Sequence, residues 1–316
     1  MGMKYRHLFG PVPSRRLGFS LGIDLVPAKT CSLNCIYCEC GRTTRLTVTR
    51  REYVPFEEIE TELTHYLSTN PAPDYLTLSG SGEPLLHSRA GELIRWMKAH
   101  YPSIPVAVLT NGTLFTDPEV RRAVLDADVV LPSLDAATPR VFAKINHPHR
   151  LLQITEIIAG LVALRQVYSG EMWLEVFIVP GVNDAESERT ALRDAIVRIS
   201  PDRVQLNTLD RPGTVSDIRA ATRQELEKIS AVWQLPGVEI VARTAAGPEQ
   251  RMVRAECESV ILETIARRPC TMRDLAHLLG MHINEVNKYL GILEKQGKIE
   301  SRRQGEDLFY LRRRAR

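Results

Sequence analysis

Three cysteines near the N-terminus carry the clearest chemical signal in this chain of 316 residues. Cys31, Cys35 and Cys38 stand in the spacing C-x3-C-x2-C. Thiolates are the usual ligands of iron–sulfur clusters, and four of them normally complete a [4Fe–4S] cube. Three thiolates so close together predict a cube in which one iron has no protein ligand, so that a small molecule can bind there.

A zinc site and buried thiols without a metal are the two alternatives to a cluster. Structural zinc prefers four ligands, which are often arranged as two C-x2-C pairs. The sequence has no second C-x2-C pair after Cys38. The spacing therefore favours an iron–sulfur cluster.

The cysteine run, with the aromatic Tyr37 before its last cysteine, resembles the signature of the radical S-adenosylmethionine enzymes. The resemblance implies that the amino and carboxylate groups of S-adenosylmethionine bind the open iron and that Tyr37 lies near the adenine. It also implies that an electron from the [4Fe–4S] cluster breaks a carbon–sulfur bond, so that a 5′-deoxyadenosyl radical takes a hydrogen atom from a substrate. The chain would then be an iron–sulfur oxidoreductase that receives electrons from ferredoxin or flavodoxin.

A glycine-rich loop supplies a second motif. Gly82-Glu83-Pro84 resembles the end of the Gly-Gly-Glu-Pro motif of that superfamily, with Ser81 in place of the first glycine. Small residues let the backbone approach a ligand, and a carboxylate complements an amino group. The Ser81 side chain must therefore point away or add a hydrogen bond. An ordinary turn is the alternative. The predicted cofactor contacts in this loop are Ser79, Gly80, Ser81, Gly82 and Glu83.

Short apolar runs alternate with helical patterns through the first part of the chain, which predicts a parallel sheet with crossover helices. A doubly wound sheet would also fit. Between these two α/β folds, the resemblance favours a partial (β/α)6 TIM-like barrel over a doubly wound sheet. We predict strands at 21–26, 75–78, 106–109, 129–131, 173–179, 203–206 and 238–242, and helices at 56–67, 91–100, 118–125, 153–167 and 186–199.

Polar residues follow the predicted strands, where barrels of this kind carry their chemistry. From this position and the resemblance, Asn111, Ser133 and Asn207 are predicted to contact S-adenosylmethionine. Asn and Ser are also favoured at helix N-caps, so capping remains an alternative for each. Asn183 and Arg211 follow the fifth and sixth strands and are predicted substrate contacts.

The segment 10–18 also resembles the opening of a superfamily branch related to the tRNA wyosine-base synthases, and this likeness covers roughly residues 8–247. Arg15 and Arg16 in this segment could bind a carboxylate or phosphate of the substrate, or form only a surface salt-bridge cluster. Wyosine-base synthases carry further cysteines ahead of the triad, and this sequence has none before Cys31. That difference weighs against wyosine chemistry itself. Cys40 follows the triad as a thiol near the site.

The pattern changes after residue 247, so we predict two domains, 1–247 and 248–316. Helices at 253–266, 272–279 and 283–296, followed by strands at 298–303 and 308–311, predict a winged helix, with Thr271 and Asp274 capping the second helix. Residues 249–316 hold 14 Lys or Arg against 10 Asp or Glu. Such a module could bind nucleic acid, recognise the substrate or mediate dimerisation. The arginines that could meet phosphates are 302, 303, 312, 313, 314 and 316.

Composition sets the remaining expectations. No apolar stretch approaches the roughly 20 residues of a membrane-spanning helix, and the N-terminus does not resemble a signal peptide, so we expect a cytoplasmic protein. Six cysteines, three of them clustered, fit a reducing compartment. Cys257 and Cys270 are interpreted as packing thiols. A tRNA-modifying enzyme of the same superfamily is an alternative function, and an iron–sulfur transcription regulator with a winged helix is another.

Overall fold

The computed structural model describes residues 5–14, 16–210, 213–241, 257–279, 283–305 and 307–313. Arg15 and Arg211, two of the predicted substrate contacts, lie outside these residues. The predicted domain boundary at 247 and the terminal arginines 314 and 316 lie outside them as well, as does the side chain of Cys257.

Four strands open the chain, and from residue 56 to residue 240 α-helices alternate with strands, except for two consecutive α-helices between residues 139 and 167. The strands are β1 (Leu8–Ser14), β2 (Gly18–Ile23), β3 (Thr30–Cys31), β4 (Arg45–Leu46), β5 (Tyr75–Leu78), β6 (Val106–Thr110), β7 (Val129–Pro132), β8 (Glu171–Phe177), β9 (Arg203–Asn207), β10 (Val238–Ile240), β11 (Cys270–Thr271), β12 (Ile299–Gln304) and β13 (Asp307–Arg312). The α-helices are α1 (Phe56–Thr69), α2 (Ala90–His100), α3 (Pro118–Ala123), α4 (Pro139–Asn146), α5 (Ile154–Val167), α6 (Glu186–Ile199), α7 (Arg223–Trp233), α8 (Cys257–Arg267), α9 (Met272–Leu279) and α10 (Ile283–Lys295).

The main sheet has eight strands in the order β1-β2-β5-β6-β7-β8-β9-β10. β1 pairs antiparallel with β2, and the other neighbours in this sheet run parallel. Parallel neighbours need long crossover connections, which the helices between them provide. The chain therefore has a mixed α/β fold with a mostly parallel sheet, and the carboxyl ends of its parallel strands share one edge.

The sheet curves strongly, and two residues before β2 show it. β2 and β9 stand five places apart in the sheet order, which in a flat sheet would be roughly 24 Å. Nevertheless the Arg16 guanidinium, just before β2, reaches Glu175 on β8 at 2.7 Å and Gln205 on β9 at 3.4 Å. Leu17 is buried and packs in a cluster inside the curve with Ala107, Val129, Leu131 and Trp173.

The helices cover the outer face of the sheet with amphipathic stripes. In α1 the buried Phe56, Ile59, Leu63 and Tyr66 recur at intervals of three and four residues, which places them on one helix face. The short helix α4 was not predicted from the sequence. It begins with Pro139 in its first turn, and the Glu188 carboxylate accepts the backbone N–H groups of residues 137 and 138 just ahead of it.

Residues 257–313 form a second, smaller core. Its three helices α8, α9 and α10 surround a three-stranded antiparallel sheet in the order β11-β13-β12. The cap predicted at α9 is confirmed, because Thr271 and Asp274 each donate a backbone N–H to the other's side chain, at 2.8 and 3.1 Å. Cys270 is buried in this core, as predicted for a packing thiol.

Within the described parts of the chain, none of the helices has the length and apolar character needed to span a bilayer.

Replacing Leu17 with alanine tests the curved core. Leu17 is only 2% exposed, so the truncation should lower the free energy of unfolding by about 2–5 kcal/mol through lost burial and the cavity left behind. The matched control is Leu151→Ala, because Leu151 is 63% exposed and its truncation should change stability by less than about 0.5 kcal/mol. Urea denaturation of the metal-free protein measures both, and equal losses would contradict the packing described here.

Candidate functional site

The three cysteines lie after β2 at the carboxyl edge of the sheet, in a segment, residues 31–38, that we call the cysteine loop. Cys31 ends the short strand β3, and Cys35 and Cys38 lie in the turns that follow it. A turn closes between Cys35 and Cys38, where the backbone N–H of Cys38 donates to the carbonyl of Cys35 at 3.2 Å. The N–H groups of Asn34 and Ile36 donate to the last carbonyls of α4, at 2.9 and 3.0 Å. The end of α4 therefore positions the middle of the cysteine loop.

Each of the three sulfur atoms accepts an N–H donor from a different side chain. Asn111 Nδ2 lies 3.4 Å from Cys31 Sγ, and Asn146 Nδ2 lies 3.3 Å from Cys35 Sγ. Lys29 Nζ lies 3.1 Å from Cys38 Sγ. Asn111 follows β6, Asn146 ends α4, and Lys29 precedes β3, so three separate segments direct donors at one group of sulfurs.

The electrostatics of the free thiols differ across the triad. Burial raises the pKa of Cys31 to about 12 and raises the pKa of Cys35 well above its ordinary value. A hydrogen bond with the neighbouring Cys40 thiol, followed by the Lys29 ammonium, lowers the pKa of Cys38 to about 6. A metal ion deprotonates a coordinating thiol outright, so iron would remove the cost of ionising Cys31 and Cys35 in this buried loop.

The positions of the three cysteines can be compared with the needs of a single metal ion and of a four-iron cluster. Over the ranges that the structure describes, no group of three His, Cys, Asp or Glu side chains is arranged to hold a metal ion. A single ion draws its ligand atoms around one point, whereas a four-iron cube receives each thiolate at a different corner. Three thiols, each with its own N–H donor, could serve as the three thiolate ligands of such a cube.

Glu83 anchors the glycine-rich loop to the next strand. Its buried carboxylate accepts hydrogen bonds from the Thr110 hydroxyl at 2.7 Å, from the Asn111 backbone N–H at 2.8 Å and from the Leu85 backbone N–H at 3.0 Å. Burial raises the pKa of Glu83 to about 7, although these donors oppose the shift. The carboxylate therefore lies at the junction of the glycine-rich loop, β6 and the cysteine loop.

Ser81 adds a hydrogen bond, one of the two outcomes expected for its side chain. Its hydroxyl donates to Asp24 Oδ2 at 2.8 Å, and its carbonyl accepts the Lys29 backbone N–H at 3.0 Å. A Cβ at Gly82 would collide with the carbonyl of Thr30, and a Cβ at Gly80 would collide with the Asp24 carboxylate. At Gly82 the glycine-rich loop therefore packs against the backbone of Thr30, directly before the cysteine loop, and at Gly80 it packs against the Asp24 side chain, so both positions favour glycine.

Tyr37, Asn111 and Ser133 line one cavity, together with Asp135 and other residues. Three of the predicted cofactor contacts are thus brought together by the fold. The Tyr37 ring stacks on Phe177 with centroids 3.9 Å apart, and its hydroxyl donates to Asp135. Burial raises the pKa of Asp135 to about 6, against the hydrogen bonds from Tyr37 and Asn146. Asp135 thus holds Tyr37 on the cavity wall.

Asn207 belongs to a polar cluster inside the curve of the sheet. Its Nδ2 donates to Glu175 Oε1 at 2.6 Å, and the other oxygen of Glu175 accepts Arg16 Nη1 at 2.7 Å. The side chains of Arg16 and Glu175 are only 16% and 15% exposed. Arg16 is therefore a mostly buried residue that is paired with a carboxylate. The alternative to substrate binding was a salt-bridge cluster on the surface, and the observed ion pair does not lie on the surface.

Asn183, a predicted substrate contact, is fully buried. Its Nδ2 donates to the carbonyls of Asp135 and Phe177 at 2.8 and 2.7 Å, and its Oδ1 accepts the Val179 N–H at 2.8 Å. These bonds occupy the side chain and fix the turn after β8. The structure thus shows a supporting role for Asn183, and its contact with a substrate stays a prediction.

Several site residues were missed by sequence reasoning. Lys29 stands two positions before Cys31, but a lysine there has no spacing signal of its own. Asn146 and Asp24 reach the site only through tertiary contacts, and α4, which carries Asn146, was itself not predicted. Cys40 lies near the glycine-rich loop, with its Sγ 3.8 Å from the carbonyl of Gly80.

Comparison with known proteins identifies the family. The model of the Radical SAM superfamily matches residues 25–193. A UPF0026 protein of Helicobacter pylori strain J99 is 32% identical over 96% of this chain and 96% of its own. A protein of Brachyspira hyodysenteriae named GTPase Obg is 35% identical over 94% of this chain, which spans only 44% of that relative.

Solved structures show the same fold. The crystal structure of a radical SAM methyltransferase from Sphaerobacter thermophilus superimposes with a TM-score of 0.55 and 17% sequence identity, covering 72% of this chain and 67% of that one. This likeness concerns the fold alone. The match over residues 25–193 and the similarity to a UPF0026 protein along 96% of both chains show that the chain belongs to the radical SAM superfamily and to its UPF0026 proteins.

Proposed function

We propose that this protein is an oxidoreductase that removes a hydrogen atom from a substrate with a [4Fe–4S] cluster and S-adenosylmethionine, the cofactors of its superfamily. Cys31, Cys35 and Cys38 would hold three irons of the cluster. When bound, the two groups supply a one-electron cleavage of a carbon–sulfur bond. The observation that carries the proposal is that each of the three sulfurs accepts its own N–H donor. Packing thiols need no such donors, whereas thiolates out of water do.

The other residues of the site bind and orient. The loop 79–83 would hold the amino group of S-adenosylmethionine, with Glu83 already fixed by three donors. Tyr37, Asn111 and Ser133, which lie around one small cavity, would contact the rest of it. Asn207 would contact it from the end of β9, and Arg16 would meet the substrate. Ferredoxin or flavodoxin would donate the electron.

We further infer that the curved sheet is a partial (β/α)6 barrel within residues 1–247, of the branch related to the tRNA wyosine-base synthases. The ion pair of Arg16 with Glu175, which links the start of β2 to β8, supports this curvature. Residues 248–316 would form a winged helix. The order helix, short strand, two helices and hairpin, in α8, β11, α9, α10 and β12–β13, supports that assignment.

Single alanine substitutions of the triad test the ligand assignment. Replacing Cys31, Cys35 or Cys38 should remove most of the iron bound after anaerobic reconstitution and abolish formation of 5′-deoxyadenosine with dithionite. Iron analysis and chromatography of the products measure the two effects. The matched control is Cys270→Ala, since this thiol is buried in the separate core of residues 257–313.

A triad variant that still cleaved S-adenosylmethionine at the wild-type rate would contradict the ligand assignment. Wild-type protein that bound a specific promoter and formed no 5′-deoxyadenosine would instead favour an iron–sulfur transcription regulator.

Replacing Lys29 with methionine tests the electrostatics of the proposed cluster. A positive charge beside a ligand sulfur stabilises the reduced, more negative cluster, so Lys29→Met should lower its midpoint potential. We expect the ratio of reduced to oxidised cluster at a given potential to fall about tenfold, which corresponds to about 59 mV for a one-electron couple. A redox titration followed by EPR measures the shift. Lys29→Arg keeps the charge and should stay near wild type, and an unchanged potential in the methionine variant would contradict the contact with Cys38.

A tRNA-modifying enzyme is a second candidate, supported by the exposed arginines of the β12–β13 hairpin. Arg302, Arg303, Arg312 and Arg313 are all exposed. Basic side chains that contact phosphates release counterions, so the resulting affinity falls steeply as salt rises. The hairpin could hold a tRNA backbone near the sheet in this way.

The double variant Arg302→Gln, Arg303→Gln tests that candidate. It should weaken tRNA binding and reduce the slope of log affinity against log salt by roughly 0.7 to 0.9 for each lost contact. Filter binding over a salt series measures the slope. The matched control replaces Arg150 and Arg198, two exposed arginines of the larger domain. Equal slopes in the two double variants, or no binding by the wild type at low salt, would rule out the hairpin as a tRNA surface.

A further inference from the structure

The C-terminal module contacts the main sheet along β1 and β2. The guanidinium of Arg267, the last residue of α8, lies over the Phe9 ring at 4.4 Å from its centroid. The His277 ring of α9 stacks on Phe19 with centroids 5.4 Å apart. These contacts join two parts of the chain that have separate apolar cores. The module is therefore docked against β1 and β2, and the chain continues from β2 to the cysteine loop.

Arg267 also forms an ion pair with Asp24, which directly follows β2. Arg267 Nη1 lies 2.9 Å from Asp24 Oδ2, and the two side chains are 21% and 11% exposed. A carboxylate removed from water to this extent requires a positive partner. Among the described residues, Arg267 is the cation that forms an ion pair with Asp24. The charge of Asp24 is thus balanced from the C-terminal module.

The same oxygen of Asp24 holds the glycine-rich loop. Asp24 Oδ2 accepts the Ser81 hydroxyl at 2.8 Å and the Ser81 backbone N–H at 3.3 Å. The carboxylate also packs so closely on Gly80 that a side chain there would collide with it. Its other oxygen, Oδ1, is buried and has no hydrogen-bond partner within the ranges that the structure describes. The position of the carboxylate therefore rests on Arg267 and Ser81 together.

Ser81 also connects Asp24 to the cysteine loop through Lys29. Its carbonyl accepts the backbone N–H of Lys29 at 3.0 Å, and the Lys29 ammonium donates to Cys38 Sγ at 3.1 Å. Lys29 holds a backbone φ of +60°, a strained left-handed conformation for a residue with a side chain. An unbroken series of hydrogen bonds thus runs from α8 through Asp24 and Ser81 to the cysteines.

We propose that Arg267 is a positioning residue for S-adenosylmethionine, which acts through Asp24 on the loop 79–83. The inference rests on the proposed function, in which this loop holds the amino group of the cosubstrate. With Arg267 paired, the Asp24 carboxylate is held against Ser81 and the loop is preorganised for binding. Without Arg267, the carboxylate loses its ion-pair partner and is free to turn away from Ser81, so that the loop loses part of its support. The C-terminal module is thereby coupled to cosubstrate affinity, and by linkage bound cosubstrate stabilises the docked module.

The test is the affinity of S-adenosylmethionine for the full-length, anaerobically reconstituted protein, measured by equilibrium dialysis. Arg267→Met should raise the dissociation constant about tenfold, within the 5- to 150-fold range that couplings between sites usually span. Arg267→Lys keeps the charge and should recover part of the loss. The matched control is Arg268→Met, which removes the next arginine of the chain and should leave the affinity unchanged. Thermal unfolding of each variant is measured in parallel.

The possible results distinguish a failure of the proposed function from a failure of the role assigned to Arg267. Wild-type protein that fails to bind S-adenosylmethionine contradicts the proposed function and removes the basis of the inference. Wild-type binding with an unchanged dissociation constant in Arg267→Met overturns the inference alone, even if the melting temperature falls, because Arg267 would then only stabilise the fold. If Arg267→Met does not fold, Ser81→Ala and Asp24→Asn test the same contacts, and affinities equal to wild type in both would likewise overturn it.

Discussion

A sulfur atom that carries negative charge away from water must receive donors, and this requirement constrains the whole molecule. The sulfurs of Cys31, Cys35 and Cys38, which lie in one short loop, would be three such atoms in the proposed cluster. Their donors come from Lys29, from Asn111 and from Asn146, at 3.1–3.4 Å. The cysteine loop can take this form only where the end of β6 and the end of α4 meet it, so residues more than a hundred positions apart must converge.

A mostly parallel sheet provides that convergence. Its strands end at one edge, so the loops after β2, β5 and β6 become neighbours although they are distant in sequence. Glu83 then joins the glycine-rich loop to β6 through Thr110 and the backbone of residue 111. From the other side the C-terminal module reaches the same loops through Arg267 and Asp24. The site is therefore supported by both parts of the chain.

The sequence predicted the repeated elements well and the supporting contacts poorly. The strand 75–78 and the helix 186–199 were predicted with the bounds that the structure shows, because their apolar periodicity is strong. β1 was missed because it contains two prolines, which an edge strand tolerates. α4 was missed because eight residues offer few apolar positions. The cysteines and the glycine-rich loop were found from motifs, whereas the donors to the sulfurs depend on tertiary contacts that no local pattern records.

In the proposed site, the triad leaves one iron of a cube for S-adenosylmethionine. Mössbauer spectroscopy of protein reconstituted anaerobically with ⁵⁷Fe tests it most directly, with spectra recorded before and after S-adenosylmethionine is added. We expect a four-iron cluster in which one iron site changes its spectrum on addition while the other three do not. A cluster whose irons are all unaffected by S-adenosylmethionine, or a protein that takes up zinc in place of iron, would contradict it.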